Sequence, residues 1–250
     1  MGKKNRPIPL VPQLDVIDCA CLIHDVTYGW EYVAKLYNSL CRNLTPKVRM
    51  HVYTERHRII PGHMIHHPIQ EWTDVRGSKK SWWYKIQLFD YRQHTGPLLY
   101  FDLDTVIVGN IDWIWQLPMD RFWAVKDFKY LFQPNRFTIN SSVMWFEPQR
   151  WSHVFHEFDP SDIVQKRAPW HGDQDYIQEK IPQGQVGYFD NQRVRSWRWE
   201  LLDGGYDFKT RRNKIPGSGT VIDDAVSVLV FHGKPKPHEI TDPNVLQHWV

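Results

Sequence analysis

The chain has 250 residues and a net charge of +3, too mild a basic excess for a dedicated nucleic-acid binder. With 42% hydrophobic and 24% charged residues it reads as an ordinary globular protein, and 14 Gly and 17 Pro exclude collagen-like or low-complexity sequence. The outlier is aromatic content: 13 Trp, 11 Tyr and 12 Phe exceed what one core normally absorbs.

Residues 1–14 read as an N-terminal extension. Its basic start, Lys3-Lys4-Asn5-Arg6, leads into Pro7-Ile8-Pro9 rather than an apolar core, so no signal peptide is expected. No apolar run approaches the roughly 18 residues that a transmembrane helix needs. Cys19, Cys21 and Cys41 are odd in number. Cys19 and Cys21 would share one face of a strand, so all three are expected as free thiols, consistent with a cytoplasmic protein, and not as a metal site.

Asp15–Ile23 predicts a buried strand. Tyr28–Leu44 predicts a helix, with Trp30, Val33, Ala34, Tyr37, Leu40 and Cys41 at helical spacing. Val48–Tyr53 predicts a strand, Ser81–Tyr91 a helix, and Leu98–Phe101 a strand after the Gly96-Pro97 break. Further on, strands are expected at Phe122–Lys126, Ser142–Phe146 and Val226–Phe231, with helices near Pro148–Phe158 and Gly172–Ile181. The alternation predicts an α/β fold with a mainly parallel central sheet flanked by helices. One domain is expected over 15–250, in two halves, 15–110 and 111–250. The polar, basic stretch Thr210–Thr220, with Arg211, Arg212 and Lys214, is expected as a mobile loop.

The most informative segment is Leu98-Leu99-Tyr100-Phe101-Asp102-Leu103-Asp104-Thr105. If the chain stays extended, the two carboxylates point to one side, where they repel unless a cation or proton lies between them. They follow a parallel strand, at the sheet edge where open α/β sheets bind ligands. A hard divalent cation is the natural occupant.

Two families carry this D-x-D pattern: GT-A nucleotide-sugar glycosyltransferases and haloacid-dehalogenase-like phosphatases. The phosphatases place it on their first strand, whereas here about a hundred residues of β/α pattern precede it. Asn140-Ser141-Ser142, Gly172-Asp173-Gln174-Asp175 and the closing Phe231-His232-Gly233-Lys234-Pro235-Lys236 follow. Together these motifs resemble the retaining family-eight glycosyltransferases of the GT-A, Rossmann-like fold, which include glycogenin and lipooligosaccharide galactosyltransferases. The resemblance runs from about residue 15 to 238. It implies transfer of a hexose, with retention, from a UDP-sugar to a carbohydrate or other hydroxyl acceptor, with nucleotide bound by the 15–110 half, donor sugar and acceptor by the 111–250 half, and Thr210–Thr220 ordering over the bound diphosphate. The phosphatase, and a non-catalytic carbohydrate or nucleotide-sugar binder of the same fold, remain the alternatives.

The same resemblance implies that Asp102, Asp104 and His232 hold Mn²⁺, with Mg²⁺ possible. It puts Asp25, Tyr28, Lys85, Leu103, Asn140, Gly233 and Lys234 on the donor, with Lys236 as the alternative phosphate contact. Asp173 and Gln174 would lie beside the anomeric carbon. Among the Trp residues, Trp82, Trp83, Trp170, Trp197 and Trp199 are candidates for an acceptor platform, and Trp30 and Trp145 for the core.

Overall fold

The computed structural model describes residues 14–250 except 26, 73–80, 95, 166, 168, 203–205, 208, 211 and 214–218. The expected N-terminal extension and most of the 210–220 segment therefore lie outside the described residues.

A seven-stranded sheet forms the centre. Its strands are β1 (Val16–Leu22), β2 (Lys47–Thr54), β3 (Ile65–Pro68), β4 (Leu98–Phe101), β6 (Phe122–Lys126), β7 (Ile139–Phe146) and β8 (Val186–Tyr188). They run in the order β3-β2-β1-β4-β7-β6-β8. The pairs β1–β2, β1–β4, β2–β3 and β6–β8 are parallel, and only the two pairs involving β7 are antiparallel. A second sheet joins β5 (Thr105–Ile107), β9 (Val194–Ser196) and β12 (Val228–Val230), and β10 (Tyr206–Asp207) pairs with β11 (Arg212–Asn213).

The central strands are apolar on both faces because both are covered. Along β4, Leu99 and Phe101 enter one buried cluster and Leu98 and Tyr100 the other. β7 divides in the same way, Val143 and Trp145 against Met144 and Phe146. The helix Trp30–Asn43 covers the first face with Tyr32, Val33, Leu36 and Leu40; of the residues expected at helical spacing only Val33 and Leu40 are buried there, while Trp30 and Tyr37 pack partly buried against the cluster and Cys41 is exposed. Cys19 and Cys21 share that face and are unbridged, as is the exposed Cys41.

Two expected helices differ. Ser81–Phe89 is a 3₁₀ helix, followed by a short one at Tyr91–Gln93. Every residue from Trp83 to Phe89 is buried, so packing on all sides, not an amphipathic stripe, shapes this segment. Gln87 makes reciprocal bonds with the Gln70 backbone, accepting at 2.8 Å and donating at 2.9 Å, which satisfies its buried amide. Around Pro148–Phe158 only His153–His156 is α-helical. The expected helix at 172–181 is present as Asp173–Lys180. Among the described residues no helix is long and apolar enough to cross a membrane.

β1 lies between β2 and β4, so the chain leaves β1 toward one side and later returns on the other. Such a reversal opens a crevice at the carboxyl ends of the two strands, the usual ligand position in open α/β sheets.

Candidate active site

That crevice is a cleft of about 340 Å³, within the size range of small-molecule sites. Leu22, His24, Thr27 and Tyr28 line it from the end of β1, and Tyr100, Asp102, Leu103 and Asp104 from the end of β4. Trp82, Lys85 and Lys236 complete its charged and aromatic lining.

Asp102-Leu103-Asp104 is not extended as the spacing suggested. β4 ends at Phe101 and the acidic pair forms a turn, in which the Asp102 carbonyl accepts from the Thr105 N–H at 3.2 Å and the Thr105 hydroxyl at 2.7 Å. The turn gives each carboxylate its own cation. Lys85 Nζ lies 2.9 Å from Asp102 Oδ1 and 3.1 Å from Asp173 Oδ2. Lys236 Nζ donates to Asp104 Oδ2, and Tyr28 donates to the same oxygen at 3.1 Å. Tyr100 donates to Asp102 Oδ1 at 2.7 Å.

Lys85 is 5% exposed. Burial alone would lower its pKa, but Asp102 and Asp173 outweigh it and hold the ammonium charged well above the ordinary lysine range. Ser141 completes the network, accepting from Lys85 at 3.0 Å and donating to Asp173 at 2.7 Å. Burial also raises the Asp104 pKa, with Lys236 opposing the rise and Asp102 adding to it.

Ser141 and Tyr100 escaped sequence reasoning. Their roles depend on β7 running antiparallel beside β4, with Phe101 opposite Val143 and the Asp102 N–H on the Ser142 carbonyl at 2.7 Å. The Asn140-Ser141-Ser142 motif carried a signal, but pointed to the neighbour. Asn140 turns its side-chain oxygen to the Ser142 N–H at 3.0 Å. Asp173 begins the helix Asp173–Lys180, where a carboxylate is favoured by the helix dipole, and Gln174 sits half-buried beside it.

At the C-terminal end, β12 pairs with β5, the strand that follows Asp104, so the Phe231 N–H reaches the Asp104 carbonyl at 3.2 Å. This pairing brings the far end of the chain beside the acidic pair. Gly233 has φ +76°, a left-handed turn that favours glycine. Beyond it the two lysines divide. Lys236 enters the cleft, whereas Lys234 is exposed and pairs with Glu239 at 3.0 Å. Of these two lysines it is thus Lys236, and not Lys234, that lines the cleft.

His232 is stacked on Phe128 and edge-on to Trp199, with Nε2 2.6 Å from Ser196 Oγ. Burial, aided by Arg198, lowers its pKa to about 4, so the ring is neutral near pH 7. Among the described residues, Asp102, Asp104 and His232 do not bring three ligand atoms within 4.8 Å of one another. The two carboxylates suit a hard divalent cation and a neutral imidazole is a competent third donor. His232 Nε2 is, however, already engaged by Ser196.

The β1 loop is anchored from below. Asp25 takes a left-handed backbone at φ +55° and accepts from the Thr27 N–H and hydroxyl at 2.7 and 2.6 Å. Glu55 accepts the Asp25 N–H at 2.6 Å and Arg58 Nε at 2.8 Å, while Arg58 also donates to the Asp25 carbonyl at 2.8 Å. His24 Nδ1 and Asp25 Oδ2 are buried without hydrogen-bond partners. Burial opposes ionisation of Glu55, but Arg58, Thr54 and backbone N–H groups bring its pKa down to about 2. Its contribution is therefore full above the unfolded value of roughly 4.3 and is lost as pH falls toward the folded one. Glu55→Gln is expected to lower stability at neutral pH, with the gap from wild type closing as pH drops toward about 2. Urea unfolding monitored by Trp fluorescence across this range checks it.

Of the Trp candidates, only Trp82 faces the cleft; it is 40% exposed, with its indole against Gly172. Trp83 is buried on Phe158, and Trp197 is buried with its N–H on Thr220 at 2.7 Å. Trp170 donates to Glu179 at 2.6 Å and packs edge-on against Tyr176. Trp145 is core, as expected, and Trp30 packs against that same cluster.

No protein-family model matches the chain, and no curated protein matches it in sequence. Solved structures do. An active-site glutamine-to-glutamate mutant of LgtC superposes with a TM-score of 0.64 at 14% identity, covering 93% of this chain and 94% of that one. The galactosyltransferase LgtC in complex with donor and acceptor sugar analogues gives 0.61 at 13% identity, over 93% and 94%. The glycosyltransferase GlyE of Streptococcus pneumoniae TIGR4 gives 0.61 at 12% identity, over 90% of this chain and 57% of that one. The chain thus has the GT-A fold of glycosyltransferase structures, in keeping with the family-eight resemblance of its motifs.

Proposed function

We propose that the protein is a metal-dependent glycosyltransferase that moves a hexose from a UDP-sugar to a hydroxyl acceptor with retention. The observation that carries this reading is the cleft at the β1/β4 reversal, where Asp102 and Asp104 each meet a lysine and Asp173 shares Lys85. Lysines suit a diphosphate, and carboxylates suit a cation and an electron-poor anomeric carbon.

Asp102 and Asp104, with His232 once its Nε2 leaves Ser196, would hold Mn²⁺ or Mg²⁺. Bound there, the ion supplies Lewis-acid stabilisation of the departing diphosphate. Lys236 adds a point charge to the same leaving group. His24 Nδ1 and Asp25 Oδ2, 3.7 Å from each other and neither hydrogen-bonded, offer polar contacts to base or ribose. Leu103 lines the cleft beside the sugar, Asn140 has its amide nitrogen to offer since its oxygen is taken by the Ser142 N–H, and Gly233 allows close backbone approach. Asp173, locked by Lys85 and Ser141, places negative charge where an oxocarbenium-like transition state develops, with Gln174 beside it. Among the described residues no side chain is assigned as a covalent nucleophile, since Asp173 is held by Lys85 and Ser141, so front-face attack by the acceptor fits.

Incubation with Mn²⁺ and a panel of nucleotide sugars tests this. Slow release of UDP from at least one UDP-sugar is expected, abolished by chelation. Release from none, or hydrolysis of simple phosphate esters instead, contradicts it. Trp82→Ala is expected to raise the acceptor KM roughly tenfold, the loss of one sugar–aromatic contact, while leaving acceptor-free donor hydrolysis unchanged. Steady-state kinetics with and without acceptor separates the two.

A further inference from the structure

Away from the cleft, at the β3 edge of the sheet, three histidines converge. His51 lies on β2, His67 on β3 and His94 just after the Tyr91–Gln93 turn of 3₁₀ helix. All three are buried, at 5%, 9% and 5% exposure. Each offers a ring nitrogen within 4.8 Å of the others, and no other such group of three occurs among the described residues.

One nitrogen of each ring has an oxygen partner. His51 Nε2 is 2.9 Å from Asp18 Oδ1, and His67 Nδ1 is 2.8 Å from Gln93 Oε1. His94 Nε2 meets the Tyr53 hydroxyl. Gln93 turns its amide nitrogen to Asp90 at 3.5 Å, which fixes the oxygen toward His67.

These partners set the tautomers. A carboxylate and an amide oxygen accept only, so neutral His51 carries its proton on Nε2 and neutral His67 on Nδ1. Their lone pairs are then on His51 Nδ1 and His67 Nε2, which face each other at 2.8 Å. Two bare lone pairs at that distance need a positive charge between them, an extra proton or a metal ion. The third ring favours the metal: His94 Nδ1 is buried with no hydrogen-bond partner. A proton shared by His51 and His67 leaves that nitrogen orphaned. An ion held by all three satisfies it. A ligand nitrogen on one side of each ring and an oxygen partner on the other is the usual surrounding of metal-binding histidine.

We propose that His51, His67 and His94 form a zinc-class metal site, separate from the cleft and independent of the glycosyltransferase reading. Three neutral imidazoles suit a borderline divalent ion such as Zn²⁺ rather than the oxygen-seeking Mn²⁺ of the carboxylate pair. The ion ties β2 and the edge strand β3 to the segment that leads into β4. Its role is structural, and Asp18, Gln93 and Tyr53 orient the ligands.

The full chain, stripped with chelator, is given Zn²⁺ alone and dialysed, and bound metal is counted by mass spectrometry. One zinc per chain is expected, retained in an Asp102→Asn/Asp104→Asn variant, so this site is read separately from the cleft. His94→Gln is expected to weaken zinc binding by about 100-fold or more, and Asp18→Asn by about 10–100-fold. Should the variants misfold, ¹⁵N spectra of the wild-type histidine rings decide: zinc must shift the resonances of these three. No retained zinc, retention unaffected by His94→Gln, loss through Asp102→Asn/Asp104→Asn, or unmoved resonances of these three rings each overturn the proposal.

Discussion

Asp102→Asn is expected to lower kcat/KM for sugar transfer by at least about 10²-fold, with the melting temperature little changed. The substitution keeps the shape and the Tyr100 hydrogen bond but removes the charge facing both Lys85 and a bound cation. A hundredfold loss is about 2.7 kcal/mol of transition-state stabilisation, the usual scale for one electrostatic contact at a reacting centre. Lys85 retains Asp173, so the fold keeps its buried pair. Asp104→Asn should lose activity in the same way: its amide oxygen can still accept from Lys236 and Tyr28, but the negative charge that faces Lys236 and a bound cation is gone. Raising Mn²⁺ should partly rescue Asp102→Asn if its main defect is metal affinity. Unchanged transfer with metal dependence intact would remove Asp102 from the metal site.

Lys85→Met is expected to destabilise the protein by about 3–5 kcal/mol, because Asp102 and the buried Asp173 are left without their cation. Methionine matches the stem, so the loss reports charge and hydrogen bonds more than volume. Folding raises the lysine pKa. Its contribution is therefore complete below the unfolded value of roughly 10.4, and fades only as pH climbs through the still higher folded one. The wild-type advantage should be flat across neutral pH. Urea unfolding at several pH values measures it, and a Lys85→Met, Asp173→Asn double variant should recover part of the loss by removing one stranded charge.

These effects meet at residues the sequence exposed unevenly. Local patterns announced β1, the first helix and β2, and an apolar run ending in Asp102 and Asp104 pointed to the right sheet edge. Lys85 could be named but not understood, since its partners Asp173 and Ser141 lie far along the chain and meet it only through tertiary packing. The same holds for β3, a four-residue edge strand too short and polar to show alternation, and for the β5–β12–β9 sheet that brings the Phe231 backbone to Asp104. Lys236 displaces Lys234 in the cleft because the chain turns at Gly233, a backbone event that spacing alone does not encode. The aromatic excess resolves mostly into core, and Trp82 alone of the five candidates reaches the cleft.

Crystals soaked with UDP and Mn²⁺ test the central claim most directly. Anomalous scattering should show one manganese on Asp102 and Asp104, with the diphosphate against Lys236 and the uridine along the His24–Tyr28 loop. A nucleotide bound elsewhere, or a cleft that stays empty of manganese at saturating UDP, would contradict it.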